Sequence, residues 1–115
     1  MPPCIMKRGE NVSVSMIFTA VDNFNQVTNN LYGIMMGIKH GYPGLNGSDG
    51  CKTLYLMPGE TETNCPIEKG KTYMYIFQIP VKSSFPKITV PVHFGLKDKT
   101  SKHEAACFEV TIRIT

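Results

Sequence analysis

Apolar and polar residues alternate with a period of two along most of this chain. The clearest runs cover residues 12–18, 88–94 and 108–114, where valine, isoleucine, methionine and phenylalanine occupy every second position. Alternation of this kind places one face of a β-strand in a core and the other face in water. No window of eleven residues keeps the 3.6-residue spacing of an amphipathic helix. The pattern therefore predicts an all-β fold.

Two further runs, residues 31–38 and 73–79, are apolar on both faces. This is typical of central strands and of strands that line an internal cavity. Turn-forming residues separate the runs, and their spacing predicts an antiparallel β-sandwich that forms one domain over residues 1–115. Pro91 lies inside a strand pattern, and we expect an edge strand or a β-bulge there because proline lacks a ladder N–H.

The composition excludes several classes of protein. With 115 residues, 42% of them apolar and 18% charged, the chain has the length and balance of one compact core. No apolar stretch approaches the ~20 residues that a membrane span requires. The net charge is +3 and the basic residues are scattered. The densest group of basic residues comprises Lys97, Lys99, Lys102 and His103. We expect this group to lie in a solvated loop, and we therefore expect no nucleic-acid partner.

Motifs for catalysis are missing from the chain. The sequence Gly70-Lys71-Thr72 lacks the upstream glycine of a phosphate-binding loop, since position 65 is a cysteine. Residues 47–50 (GSDG) lack the spacing of a nucleophile elbow. A Cys107–His103 pair is the remaining candidate, and in an oxidising compartment we expect that thiol to be bridged. We therefore expect no enzymatic activity and no cofactor.

Cysteines and glycosylation motifs indicate a secretory compartment. Four cysteines and two N-x-[ST] motifs, at Asn11 and Asn46, fit an oxidising environment. Metal binding is the rival interpretation of the cysteines, and it is disfavoured because there is no C-x-x-C pair, so we expect no metal. The chain opens Met1-Pro2-Pro3-Cys4 without an apolar signal segment, and we expect the native N-terminus to lie outside the given sequence.

An ordered series of short segments resembles one known family. The segments span the whole chain in the right order: residues 3–9 (PCIMKRG), 32–37 (YGIMMG), 42–43 (YP), 49–52 (DGCK), 64–67 (NCPI), 70–73 (GKTY), 79–86 (IPVKSSFP) and 107–110 (CFEV). This series resembles the MD-2-related lipid-recognition (ML) family, and within it the Niemann-Pick type C-2 sterol-transfer branch with its arthropod relatives and mite group 2 allergens.

The resemblance implies a fold and a function. The fold is an immunoglobulin-like sandwich whose two antiparallel sheets splay around a hydrophobic pocket, with a first strand that this chain does not include. The function is carriage of a sterol, fatty acid or related lipid, with transfer to a membrane surface or receptor, by a monomer in the extracellular space or the lysosomal lumen. The alternative is a secreted lipid-sensing interaction protein in innate immunity or chemosensation. A fully packed adhesion sandwich without a cavity is the third interpretation.

The resemblance also assigns site residues. The pocket mouth corresponds to Tyr42, Val81, Phe85 and Pro86. The sterol-transfer proteins usually have a Phe at the position of Tyr42 and a Tyr at the position of Phe85, so the hydroxyl lies on the opposite side of the mouth in this chain. The pocket walls are expected to come from the two runs that are apolar on both faces and from the strand at 88–94: Ile34, Met36, Tyr75, Phe77 and Phe94.

The same resemblance bears on the disulfides. Cys51 and Cys65 match a family pair, and we expect that bridge. Cys4 and Cys107 match cysteines whose family partners lie in the N-terminal segment. We expect that segment to have been truncated; otherwise the two thiols pair with each other or remain free. Residues 52–64 form a longer loop than in the sterol-transfer proteins, and its apolar part, residues 54–57, is expected to cover the sandwich end or to contact a partner.

Overall fold

A computed structural model describes residues 3–115, and every regular element in this range is a β-strand. Within these residues no helix is both long and apolar enough to cross a bilayer. The strands are β1 (Cys4–Met6), β2 (Asn11–Thr19), β3 (Val27–Met35), β4 (Ile38–Gly41), β5 (Leu54–Leu56), β6 (Thr61–Thr63), β7 (Thr72–Pro80), β8 (Thr89–Asp98) and β9 (Glu104–Ile114).

The strands form two sheets that pack as a sandwich. One sheet has the order β1-β9-β8-β3-β4 and the other the order β2-β7-β5-β6. The predicted β-sandwich is confirmed. The pairing is antiparallel throughout both sheets except between β1 and β9, which run parallel.

The alternating runs form strands with one buried face, as predicted. In β2 the side chains of Val12, Val14, Met16 and Phe18 face the core, while the residues between them are exposed. The partner strand β7 has the same alternation, so that Met16 lies opposite Tyr75. Both sheets thereby present an apolar inner face to the other, and this shared interior is the core.

Large buried side chains from both sheets fill the interior. Seven of these side chains are each at most 2% exposed: Phe94, Leu31, Leu54, Ile67, Ile79, Leu96 and Val27. Aromatic rings cross the gap between the sheets, because the ring of Phe77 on β7 meets the ring of Phe94 on β8 edge-to-face at 5.4 Å. Phe94 in turn stacks on Phe108 of β9 at 5.0 Å.

The run at residues 31–38 is a hairpin and not one strand. β3 ends at Met35, which pairs with Ile38 at the start of β4. Met36 and Gly37 form the two-residue turn with φ of 51° and 76°, the positive values that a tight type I′ hairpin requires. The apolar residues after Met35 are therefore exposed and do not belong to a central strand.

The expectation for Pro91 is also wrong in part. β8 is an interior strand between β9 and β3, and its register irregularity lies between Leu96 and Lys97 rather than at Pro91. Proline is accommodated because pairing with β3 ends at Val92. Pro91 thus faces a partner strand on one side only.

Residues 52–64 are part of the sandwich and not a projecting loop. Leu54 to Leu56 form β5, which pairs with β7 on one side and with β6 on the other. Leu54 is 0% exposed. The apolar residues of this segment therefore extend the four-stranded sheet and complete the core.

Candidate functional site

A small apolar cavity lies between the sheets at one end of the sandwich. Its volume is about 30 Å³. Tyr42, which follows β4, meets Val81 and Phe85 of the β7–β8 connection there, so three of the four predicted mouth residues come together. The complete lining is Met6, Leu31, Tyr42, Ile79, Val81, Phe85, Val92, Phe94, Ile112 and Ile114.

The mouth is held closed by contacts across the two sheets. The Tyr42 hydroxyl donates a hydrogen bond of 2.5 Å to the carbonyl of Pro80 at the end of β7. Its ring packs edge-to-face on Phe85 with centroids 5.5 Å apart. Burial raises the pKa of Tyr42 to about 12, so the hydroxyl keeps its proton at neutral pH.

Arg8 positions the connection that carries Phe85. Its Nη1 donates to the carbonyls of Ser83 at 3.4 Å and Phe85 at 3.3 Å. The neighbouring Gly9 N–H donates to the carbonyl of Val81 at 2.6 Å. Sequence reasoning did not single out Arg8, because its partners lie more than 70 residues away.

The cavity is far smaller than a lipid. Ligand pockets for small molecules have volumes of roughly 300–1,000 Å³, whereas this one has about 30 Å³. Phe77, Phe94 and Leu31 occupy the space behind the mouth. A lipid can enter only if these side chains repack or if the sheets move apart.

A second cavity of about 160 Å³ opens to the side of the sandwich. Two of the predicted wall residues, Tyr75 and Phe77, line it together with Leu31. The Tyr75 hydroxyl donates to Oδ1 of Asn29 at 3.0 Å across the gap between the sheets. Burial raises the pKa of Tyr75, so this hydroxyl also stays protonated.

Two predicted wall residues do not face the interior. Met36 is 100% exposed at the tip of the β3–β4 hairpin, because the chain reverses there. Ile34 lies two residues after Tyr32, on the outer face of β3 where Tyr32 stacks on His93. Both expectations are wrong: Met36 lies in the turn that interrupts the run 31–38, and Ile34, although within β3, lies on its outer face. Pro86 is exposed beside Phe85 and is not among the residues that line the cavity.

Comparison with known proteins identifies the family. A family model described as the ML domain matches residues 1–114. This chain belongs to the ML domain family. The resemblance inferred from the short sequence segments is thereby confirmed.

Curated relatives of this ML domain are named as cholesterol transporters. The chain is 34% identical over 113 residues to mouse NPC intracellular cholesterol transporter 2, covering 98% of this chain and 69% of that protein. It is 35% identical over 112 residues to the bovine protein of the same name, covering 97% of this chain and 68% of that protein. A solved structure of a Niemann-Pick type C2 protein from the Japanese carpenter ant matches with a TM-score of 0.81. At 17% identity, with 100% of this chain and 82% of the ant chain covered, that match supports the fold.

The cysteines of this ML domain divide into two groups. Cys51 and Cys65 form a disulfide, as expected, with their Cα atoms 5.3 Å apart. Within residues 3–115, Cys4 and Cys107 carry free, exposed thiols. Cys4 lies beside Ile112 on β9, five residues from Cys107 and so ~17 Å away along the strand. A disulfide needs Cα atoms within about 7 Å, which excludes the alternative in which these two pair with each other.

The two glycosylation motifs differ in their surroundings. Asn11 and Asn46 are both exposed. The Asn46 side chain also has a structural contact, because its Oδ1 accepts a hydrogen bond of 3.1 Å from the backbone N–H of Leu31. Glycosylation of either residue remains a prediction.

A polar cluster lies on the outer face of the five-stranded sheet. His93 is 4% exposed, and its Nδ1 and Nε2 lie 3.1 Å from Glu109 and 2.9 Å from Glu104. His93, Glu104 and Cys107 place their ligand atoms within 4.8 Å of one another, the spacing of a metal site. Both imidazole nitrogens are already engaged by carboxylates, and we interpret the cluster as a hydrogen-bonded tie between β8 and β9. The register that pairs His93 with Glu109 could not be derived from the local pattern.

Proposed function

We propose that this ML domain binds a lipid non-covalently between its two sheets and carries it between membranes. The observation that carries the proposal is the apolar cavity at the mouth, where Tyr42, Val81 and Phe85 meet over an interior lined by apolar side chains. The names of the mouse and bovine relatives support a sterol as the cargo. A fatty acid is the other ligand class that such a surface accepts.

Apolar contact supplies the binding free energy in this proposal. Each 100 Å² of apolar surface that leaves water contributes about 2.5 kcal/mol. Part of that gain is offset by the cost of association and of opening the cavity. The ladders of hydrogen bonds run within each sheet, so separation of the sheets leaves them intact. Met6 lines the cavity, and its flexible thioether helps the wall adapt to different lipids.

The proposal includes delivery of the lipid to a membrane surface. The β3–β4 hairpin exposes Met36 and Ile38, which are 100% and 60% exposed. Gly33, near the end of β3, packs close to Val90, near the start of β8. The β3–β4 hairpin therefore lies at the same end of the sandwich as the β7–β8 connection. Exposed Lys82 in that connection adds positive charge, which favours an anionic bilayer.

We propose that the chain acts as a monomer in the extracellular space or the lysosomal lumen. The Cys51–Cys65 disulfide supports an oxidising compartment. The lipid-sensing alternative rested on an apolar loop at residues 54–57 that was available to a partner. Those residues pair as β5 within the sheet, so no observation favours the alternative over a carrier.

A titration with the fluorescent sterol dehydroergosterol tests the proposal. We expect saturable binding to the wild-type protein and a roughly tenfold weaker affinity in Phe85→Ala, which removes a ring from the mouth. Phe18→Ala is the matched control, because Phe18 is half-buried on β2 and stacks on Tyr73 away from the cavity. Absence of sterol and fatty-acid binding by folded protein would refute the proposal. Binding without transfer between vesicles would instead favour the sensing function.

A further inference from the structure

A hydrogen-bonded polar pair lies in the otherwise apolar interior between β3 and β7. Most inward-facing residues of β3 and β7 are apolar, but Asn29 and Tyr75 lie opposite each other across the gap and are 6% and 3% exposed. They line the side cavity of about 160 Å³. Buried polar pairs of this kind cost free energy unless they are hydrogen-bonded, and here the Tyr75 hydroxyl donates to Asn29 Oδ1.

The side cavity lies behind the mouth cavity on the same interior path. Leu31 lines both spaces, and Phe77, which lines the side cavity, packs against Phe94, which lines the mouth cavity. Movement of these side chains therefore joins the two spaces. From Val81 at the mouth, β7 runs six residues back to Tyr75, or ~20 Å. This length is comparable with the long axis of a sterol.

Tyr75 and the hydroxyl groups around it already donate their protons in hydrogen bonds. Tyr75 donates to Asn29, Ser48 donates to the carbonyl of Leu45, and Thr53 donates to the carbonyl of Ile76. The Asn29 amide nitrogen donates to the Ser48 hydroxyl at 2.8 Å and to the Asp49 carbonyl at 3.4 Å. Among the buried groups around Tyr75 only oxygen lone pairs remain available, so their free capacity is to accept a hydrogen bond. The donors of Lys52 and Gln78 also line this cavity, but both residues are exposed.

We propose that this polar site recognises a hydroxyl group at the far end of the cargo lipid, so that the preferred ligand is polar at both ends. This inference rests on the proposed lipid-carrier function. One polar group of the ligand lies at the mouth near Tyr42, and the other donates a hydrogen bond to the Tyr75 oxygen. A ketone at the far end is disfavoured, because it has no proton to donate to the Tyr75 oxygen.

Three sterols that differ only near the end of the side chain test the inference: cholesterol, 25-hydroxycholesterol and 24-oxocholesterol. We expect wild-type protein to bind 25-hydroxycholesterol at least as tightly as cholesterol. We expect 24-oxocholesterol to bind about tenfold more weakly than cholesterol, since its oxygen meets no free donor among the buried groups around Tyr75. The measurement is competition against dehydroergosterol at equilibrium.

A double variant removes the polar site while keeping its shape. Asn29→Leu with Tyr75→Phe replaces both partners of the hydrogen bond, so no unpaired acceptor is left behind at Asn29. We expect this variant to bind 25-hydroxycholesterol about tenfold more weakly than wild type and cholesterol within about twofold. The matched control is Tyr73→Phe on the same face of β7, because the Tyr73 hydroxyl accepts its hydrogen bond from the Glu68 N–H at 2.9 Å and lies outside the cavity.

The outcomes separate this inference from the proposed function. If cholesterol binds and both oxygenated sterols bind tenfold more weakly, the hydroxyl site is refuted and the carrier function stands. Equal loss of all three sterols in the double variant would also refute the site. If folded protein binds none of the three sterols and no fatty acid, the carrier function itself fails. Should the double variant not fold, the sterol series on wild-type protein decides alone.

Discussion

Removal of the Tyr42 hydroxyl should increase the rate at which a lipid enters the protein. In Tyr42→Phe the ring that contacts Phe85 is kept, but the hydrogen bond of 2.5 Å to the Pro80 carbonyl is lost. That bond ties the segment after β4 to the end of β7 across the mouth. Because the cavity of about 30 Å³ must open before a lipid can enter, the bond stabilises the state that cannot load.

The size of the effect follows from the energy of one hydrogen bond. A typical intramolecular hydrogen bond contributes about 1 kcal/mol net. Pro80 is exposed, so water replaces the lost donor at its carbonyl. A shift of 1 kcal/mol changes an opening equilibrium about fivefold, and the association rate of a ligand that needs the open state rises by the same factor.

Stopped-flow fluorescence with dehydroergosterol measures this rate. A roughly fivefold faster association is expected in Tyr42→Phe. If the dissociation rate rises equally, the mouth closes again over the bound lipid; if it is unchanged, the loaded mouth stays open and the affinity improves fivefold. Tyr55→Phe is the control, because Tyr55 is a half-buried tyrosine on β5 that does not line the cavity. An association rate within experimental error of wild type would refute the idea that this bond gates the mouth.

Two further predictions concern the cysteines. Replacement of Cys51 and Cys65 by alanine should lower the free energy of unfolding by about 3 kcal/mol, the loop-closure term for fifteen residues; a loss below about 1 kcal/mol in urea titration would contradict this. Burial and then the Glu104 carboxylate raise the pKa of the Cys107 thiol, which lowers its thiolate fraction at a given pH. Iodoacetamide at pH 8 should therefore alkylate Cys107 more slowly than free cysteine and faster again in Glu104→Gln, as followed by peptide mass spectrometry; equal rates in both proteins would argue against the carboxylate effect.

The local pattern predicted the strands whose two faces differ. Residues 12–18 and 108–114 lie within strands, and the run 88–94 lies within β8 from Thr89 onward, because a buried face and a wet face leave a period of two in the sequence. The hairpin at Met36 and Gly37 was missed for a physical reason. Its first turn residue is a methionine with φ of 51°, a conformation that asparagine, aspartate or glycine would have signalled. Without that signal the exposed hairpin tip looked like buried strand.

The candidate site depended on information that the local pattern does not hold. The mouth residues were found through the resemblance to a family and not through periodicity. The contact between Tyr75 and Asn29 joins residues 46 positions apart on different sheets. The apolar run at residues 73–79 predicted a strand that contains Tyr75, but Asn29 lies outside every predicted run, and no local pattern gives the register between sheets that brings the two together. The same limit applies to His93, whose two carboxylate partners lie on another strand.

The arrangement of hydrogen bonds explains how one sandwich can be both well packed and able to take up a lipid. Each sheet satisfies its own backbone ladder, so the gap between the sheets is held mainly by contacts among apolar side chains such as Phe77 and Phe94. A bound lipid replaces those contacts with similar ones, and the free-energy cost of widening the gap is largely returned. Two tyrosine hydroxyls make bonds that apolar contact cannot replace, Tyr42 at the mouth and Tyr75 at the deep end of the path. The first should therefore govern the rate of exchange and the second the choice of cargo, because each acts at a different end of the ligand.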